Sequence, residues 1–434
     1  MREMKDSGIE WIGEIPADWE VIALKHIAHS NSEVLNENTD PDYEFDYIDI
    51  GSVIYGKGVT EFQHMNFASS PSRARRVVKA DDVIISTVRT YLRAVAIIRE
   101  KNSPQIVSTG FLTLRSKNGI IHPTYLYYAV LSDNFIQNVE SQSVGISYPA
   151  INSTTISTIK LPIAPYKEQQ RIANYLDRKC SQIDTIIARQ EEVIEKLKAY
   201  KLSVITEAVT KGLNPDVPMK DSGVEWIGEI PEHWTVSALR YGLENIQTGP
   251  FGSQLHAEDY IEDGIFVINP ANIVEGCIVP DNRCSVTELK AQELSRHILN
   301  KGDIIFARRG EMGRCAYFGG SFQQYLCGTG CIKIQCNANL MPEFISWFLQ
   351  TSCVKQYLTL NSVGTTMANL NTTIISGIPV VFPPISEQEK VVEYIKNKIC
   401  EIDCVLKNKL SIVEKLTEYK KSLIYEVVTG KKEV

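Results

Sequence analysis

The chain of 434 residues is written twice, and that repetition restricts its architecture more than any other feature. The segment MKDSGIEWIGEIPADWEV (Met4–Val21) returns as MKDSGVEWIGEIPEHWTV (Met219–Val236), identical at 14 of 18 positions. A second set of echoes lies 219 residues apart. Glu168-Gln169 recurs as Glu387-Gln388, Ile183-Asp184 as Ile402-Asp403, Lys196-Leu197 as Lys415-Leu416, and Tyr200-Lys201 as Tyr419-Lys420. Fainter matches join Ser143-Val144-Gly145 to Ser362-Val363-Gly364 and Asn152 to Asn371. Between these echoes the halves diverge, so one scaffold carries two different inserts.

The scaffold echoes flank two long amphipathic segments. Apolar residues step by fours and threes through Leu176, Cys180, Ile183, Ile187, Ile194, Leu197, Val204 and Ala208. The second copy runs Ile395, Ile399, Ile402, Leu406, Val413, Leu416, Leu423 and Val427. This spacing predicts helices over about 167–210 and 387–429, each too long to be stable alone, with the duplicate as natural partner. Both seams hold polar residues at matched steps, Gln190 with Lys409 and Lys201 with Lys420, which would fix the register. Two copies related by a pseudo-two-fold axis place the helices antiparallel. The same symmetry requires Met4–Val21 to dock on the second helix as Met219–Val236 docks on the first. Trp11, Ile12, Ile15 and Trp19 would make the first contact, and Trp226, Ile227, Ile230 and Trp234 the second.

The expected organisation is a conserved segment over 1–21, an insert over 22–160, and a central region over 161–236 containing the first helix. A second insert over 237–379 and a C-terminal region over 380–434 complete it. Short β-rich runs in the inserts (Tyr47–Ile50, Val83–Thr87, Ala94–Ile98; Ile265–Ile268, Ile304–Ala307, Cys331–Gln335) alternate with turn residues. Each insert also contains one predicted helix opened by proline, Pro123 before Tyr125–Val139 and Pro342 before Phe344–Leu358. The fold class is therefore α/β (α+β), a tandem repeat of two globular modules separated by two long helices.

Charge and cysteine usage narrow the function. Net charge is 45 − 52 = −7, yet Glu33–Asp49 alone contains seven acids and no base, so the deficit is local. Ten irregularly spaced cysteines, no signal-like N-terminus and no apolar run of membrane length lead to the expectation of a reduced, cytoplasmic protein. The glycine cluster Thr248-Gly249-Pro250-Phe251-Gly252-Ser253 lacks the lysine of a phosphate loop and reads as a tight turn. Asn269-Pro270-Ala271-Asn272 only half-resembles an amino-methyltransferase motif, lacking its second proline and its aromatic residue. Cys327, Cys331 and Cys336 have no Cys-x-x-Cys spacing or neighbouring histidine, so no metal is expected. No catalytic constellation emerges.

What remains is arginine and amide chemistry near predicted strand ends: Arg73, Arg75 and Arg76; Ser86, Thr87, Arg89 and Arg93; and Arg308, Arg309 and Arg314 near Gln323 and Gln324. Ser253 and Gln254 join them from the glycine cluster. Arginine can chelate guanine, glutamine adenine, and hydroxyls reach phosphates. Two such stretches at matching places in a duplicated scaffold point to double-stranded DNA. Arg89, Arg93, Arg308 and Arg314 are expected to matter more for DNA affinity than for folding.

At this point the sequence resembles the specificity subunit of type I restriction–modification systems. The resemblance rests on Ser7–Pro16 and Ser222–Pro231, on Gly302–Gly310 (GDIIFARRG), and on the Pro-x-x-Glu-Gln lead-ins Pro165–Gln169 and Pro384–Gln388. It implies two target-recognition domains that read an asymmetric bipartite DNA site and direct methylation of adenine N6. It also implies two modification (methyltransferase) subunits and two ATP-dependent restriction subunits as partners. S-adenosylmethionine, ATP and Mg would belong to those partners, leaving this chain non-catalytic and without a cofactor. The other classes are a stand-alone methyltransferase or nuclease, and a peptide-binding coiled-coil scaffold.

Overall fold

A computed structural model describes residues 2–99, 103–361 and 370–434. The Ser362-Val363-Gly364 echo lies outside them. The chain divides into two units, Met1–Glu191 with Leu410–Val434, and Glu192–Lys409.

In the first unit the insert opens and closes on one short ladder, Glu20–Ala23 antiparallel to Lys160–Ile163. Between them lie two four-stranded sheets. One is antiparallel, in the order Val95–Ile97, Val83–Ser86, Phe111–Ser116, Ala28–Ser30. The other runs Gln63–Asn66, Glu44–Ile48, Gln105–Ser108, Ala74–Val78, with one parallel pair at Ile106 and Tyr47. The run Val83-Ile84-Ile85 is apolar throughout because both of its faces are covered. Val83 and Ile85 pack towards Tyr125 and Phe135, while Ile84 packs with Ile48 and Val107. The second unit repeats this plan. Its ladder joins Thr235–Ala238 to Pro379–Phe382, and its antiparallel sheet runs Leu243–Thr248, Cys331–Cys336, Ile304–Ala307, Cys315–Tyr317.

The single amphipathic helix expected in each insert is in fact two. Pro123–Leu131 is followed by Asp133–Ser141, and Pro342–Leu349 by Ser352–Asn361. The break has the same chemistry in both units. The Ser132 hydroxyl donates to the Ala129 carbonyl (2.7 Å), and the Thr351 hydroxyl to the Phe348 carbonyl (2.8 Å). Each hydroxyl competes with the helix for a carbonyl three residues back, which a periodicity reading does not register.

The long helices span Tyr166–Lys211 and Ile385–Val428. In the first unit Leu176, Cys180 and Ile183 share a core with Leu423, Ile424 and Val427. The Tyr125 hydroxyl bonds the Pro162 carbonyl at 2.8 Å and the Val428 carbonyl at 3.3 Å, while Lys420 Nζ meets Asp184 at 2.7 Å. Early residues of one helix thus oppose late residues of the other, and the segments run antiparallel. In the second unit Ile205, Ala208 and Val209 pack with Val391, Val392 and Ile395, and Lys201 Nζ meets Asp403 at 2.6 Å. Along the predicted seam Leu176, Ile183, Ile194, Ile395 and Ile402 are buried, and Ile187, Leu197, Leu406, Val413 and Leu416 half-buried. The matched seam lysines are therefore ion-pair partners of the echoed aspartates Asp184 and Asp403.

The Glu-Gln echo also has a physical basis. Gln169 is buried at the start of its helix, where Nε2 donates to the Ala164 (2.8 Å) and Ile120 (3.0 Å) carbonyls and Oε1 accepts from the His122 amide. Gln388 makes the same set with Pro383, Asn339 and the Met341 amide. Each glutamine ties a proline-opened helix to a long one. The preceding glutamate accepts the indole N–H of the repeated tryptophan, Trp19 to Glu168 at 3.2 Å and Trp234 to Glu387 at 2.8 Å. Met4–Val21 lies against the second helix. Ile12, Ile15 and Trp19 are buried against Leu423, Ile424 and Val427, and the Tyr425 hydroxyl reaches the Ile12 carbonyl at 3.2 Å.

Candidate nucleic-acid interface

At the end of each antiparallel sheet, chain segments distant in sequence are bound together by backbone hydrogen bonds. In the first unit the strand Val83–Ser86 runs into Thr87, whose amide and hydroxyl both donate to the Gly110 carbonyl (2.8 and 2.9 Å). The Thr87 carbonyl accepts from the Ile151 amide at 2.9 Å, and the Arg73 carbonyl from the Thr109 amide at 2.8 Å. A Cβ on Gly110 would lie 2.9 Å from Ile50 Cδ1 and 3.1 Å from Val88 Cγ2, so a side chain there would require those two side chains to shift. In the second unit the Arg308 amide donates to Gly330 (2.8 Å) and the Leu370 amide to the Arg308 carbonyl (3.0 Å). A Cβ on Gly330 would meet the Pro270 ring at 2.8 Å. Thr87 and Arg308 occupy the same place on the same frame.

The candidate side chains divide on this frame. In the first unit Arg73 is exposed beside Thr109, and Arg89 is exposed with a left-handed backbone (φ 51°), its guanidinium 5.1 Å above the Tyr148 ring. Arg75 lies 4.7 Å over Phe67 and donates to the Ala74 carbonyl. Arg76 is half-buried, its Nη1 enclosed with no hydrogen-bond partner among the described residues, and burial lowers its affinity for the proton.

Three expectations need correction. Ser86 and Thr87 are buried, and their hydroxyls are taken by the Val88 and Gly110 carbonyls, so they build the frame instead of facing a phosphate. Arg93 does not project from its turn; it bridges Asp133 (2.6 Å) and Glu140 (2.9 Å). Its hydrogen bonds to the Glu140 carboxylate, before all else, raise its pKa.

In the second unit Arg309 is exposed, and Arg308 donates through Nε to the Leu370 carbonyl at 3.1 Å. Arg314 reaches the Pro270 carbonyl and Glu311, both at 3.0 Å. Ser253 is exposed and Gln254 half-buried, on the loop after Gly249, whose amide donates to the Cys331 carbonyl at 2.9 Å. Gln254 Oε1 accepts from the Phe251 amide. The third correction concerns Gln323 and Gln324. Both are exposed, but the Phe318 amide donates to the Asp303 carbonyl, which sets their turn at the start of Ile304–Ala307. Arg308 follows the other end of that strand, so the two sets do not converge.

Sequence reasoning missed Tyr148, Gly110 and Gly330. A signal existed, because Thr109-Gly110 and Thr329-Gly330 echo each other at an offset of 220, close to that of the scaffold. It also missed Asp82 and Asp303, which brace the two sheets: Asp82 accepts Arg115 Nε at 2.8 Å and Asp303 accepts Gln335 Nε2 at 3.0 Å. Asn269-Pro270-Ala271-Asn272 forms a short 3-10 turn in which the Asn269 amide donates to the Asn272 side chain at 3.0 Å. The Cys327 and Cys315 thiols are fully buried, and burial pushes both up to about 12. Among the described residues no three His, Cys, Asp or Glu side chains are grouped to hold a metal, and no helix is long and apolar enough to cross a membrane.

Fold and frame together define a tandem-repeat α/β protein presenting one loop cluster per unit. The chain belongs to the type I restriction modification DNA specificity domain family, whose pattern matches residues 16–196 and 245–413. It is 25% identical over 434 residues to a putative MjaX specificity subunit of Methanocaldococcus jannaschii, covering 97% of this chain and 95% of that one. The MjaVIII specificity subunit of the same organism is 26% identical over 335 residues, 75% of this chain and 74% of its own. The EcoKI specificity subunit of Escherichia coli is 25% identical over 316 residues, 69% of this chain and 65% of its own. The fold is shared with the HsdS subunit of Thermoanaerobacter tengcongensis (TM-score 0.52, 19% identity, 96% of this chain and 98% of that one). It is shared more closely with a chain solved in a study of assembly and conformational transition of the type I R-M system. There the TM-score is 0.74 at 18% identity, covering 96% of this chain and 99% of that one.

Proposed function

We propose that this chain is the DNA-reading subunit of a type I restriction–modification complex, each unit meeting one half of an asymmetric bipartite duplex target. The observation that carries the reading is the shared frame with unlike side chains. Arg73 and Arg89 stand around the Thr87–Gly110 contact, and Arg308, Arg309 and Arg314 around Gly330. One geometry with two side-chain sets suits two different half-sites, because base edges are told apart by donor, acceptor and methyl patterns. Exposed arginines supply the salt-dependent attraction to phosphates that brings any such reader to DNA.

The chain itself carries out no chemistry in this reading. Two modification subunits, directed to adenine N6, bring S-adenosylmethionine, and two restriction subunits bring ATP and Mg; the complex works in the cytoplasm. Methylome sequencing of a host with and without this gene tests the function. One asymmetric bipartite adenine-methylated motif should disappear with the gene. Binding of S-adenosylmethionine by the isolated chain would instead favour a stand-alone methyltransferase, and an unchanged methylome would remove the DNA-reading role.

A further inference from the structure

The first unit carries a finger beside Arg89 whose tip packs against no core. Residues 143–150 form a closed loop. The Val144 amide donates to the Ala150 carbonyl (2.8 Å), and the Ala150 amide returns to the Val144 carbonyl (3.0 Å). Gly145, at φ 118°, makes the turn possible. The loop is fixed to the frame at two points: Thr90 Oγ1 donates to Ser143 Oγ at 2.9 Å, and Val88 bridges Ala150. Its base is therefore ordered, while its tip is apolar and open. Val144 is 80% exposed, Ile146 103% and Tyr148 66%; among the described residues of this unit the next most open large aliphatic is Val34 at 59%. Arg89 lies over Tyr148 at the tip, and the exposed Arg73 joins the same frame through its carbonyl and the Thr109 amide.

We infer that this finger enters a DNA groove and that Ile146 reads the C5-methyl group of a thymine. The inference rests on the DNA-reading function proposed above. The duplex is chosen as occupant by charge, since the exposed Arg89 stacks on the tip at Tyr148 and Arg73 is exposed on the same frame. Thymine is chosen by chemistry. It is the base that displays an apolar group in the major groove, and an aliphatic side chain discriminates through that methyl alone. Val144 and Tyr148 would shield the contact from water, and Arg89 would hold the nearby backbone.

The test uses the chain assembled with its modification subunit and the duplex identified by methylome sequencing. Each thymine of both half-sites is replaced in turn by uracil, which lacks the methyl group. Parent affinity should fall about fourfold at one thymine, the worth of one buried methyl. For Ile146→Ser, which should leave the melting temperature unchanged, thymine and uracil should bind equally at that position. Its salt dependence should match the parent, because no phosphate contact is lost, whereas Arg89→Ala should flatten the salt slope. A parent that selects its duplex but has no thymine whose methyl effect vanishes in Ile146→Ser overturns the inference, as does a target without thymine in either half-site. Loss of modification-subunit binding in Ile146→Ser overturns it too, making the finger a protein contact. A parent that selects no duplex fails the underlying reading instead.

Discussion

Arg89 and Arg93 belong to one turn and both have left-handed backbones (φ 51° and 52°), yet their surroundings assign them different roles. Arg93 is held by two carboxylates, so Arg93→Ala should cost ~1–3 kcal/mol of stability by leaving Asp133 and Glu140 without their partner. Thermal denaturation of the purified chain measures this, and cognate affinity of the surviving folded fraction should change little. Arg89→Ala should do the reverse, losing the ~1.5–3 kcal/mol of a charge-assisted contact to the duplex backbone with an unaltered melting temperature. Another residue reports on pH. His297 is buried in a 3-10 turn beside Gln247, where desolvation, with Arg296 and Lys333 adding, lowers its pKa from 6.5 to about 4. Below pH 6.5 the unfolded chain takes up a proton that the folded chain refuses, so this residue removes stability as pH falls from 6.5 to about 4. A melting series across that window should be steeper for the parent than for His297→Gln; equal slopes would show that the imidazole is not held neutral.

Among the elements, the long helices were the most legible from sequence, because their 3.6-residue pattern and duplicated contacts demand the same residue types twice. The Glu168-Gln169 echo is preserved by the glutamine that pins a neighbouring helix and the glutamate that takes an indole N–H. Insert helices were less legible: Ser132 and Thr351 interrupt them through single hydroxyls that leave no trace in apolar periodicity. The candidate interface was the hardest to read. Its frame consists of amide and carbonyl contacts, so arginines could be found but not sorted into exposed Arg89 and bound Arg93. Substituting Ile183 or Ile402, each 6% exposed, by aspartate places a carboxylate in a closed apolar seam at a cost of several kcal/mol. Each variant should lower the melting temperature and weaken binding of the modification subunit. Unchanged melting in both would contradict the helix pairing.

Across the whole molecule, the duplicated scaffold and divergent inserts amount to two readers built to one plan. Each insert enters and leaves through its own two-stranded ladder, Glu20–Ala23 with Lys160–Ile163 and Thr235–Ala238 with Pro379–Phe382, so one can be replaced without touching the other's core. The most direct measurement is the methylome of a host in which residues 22–160 are exchanged for the corresponding insert of another family member. One half of the bipartite motif should change and the other remain, with adenine methylation retained. A motif in which both halves change together, or in which neither changes, would contradict the independent reading of two half-sites.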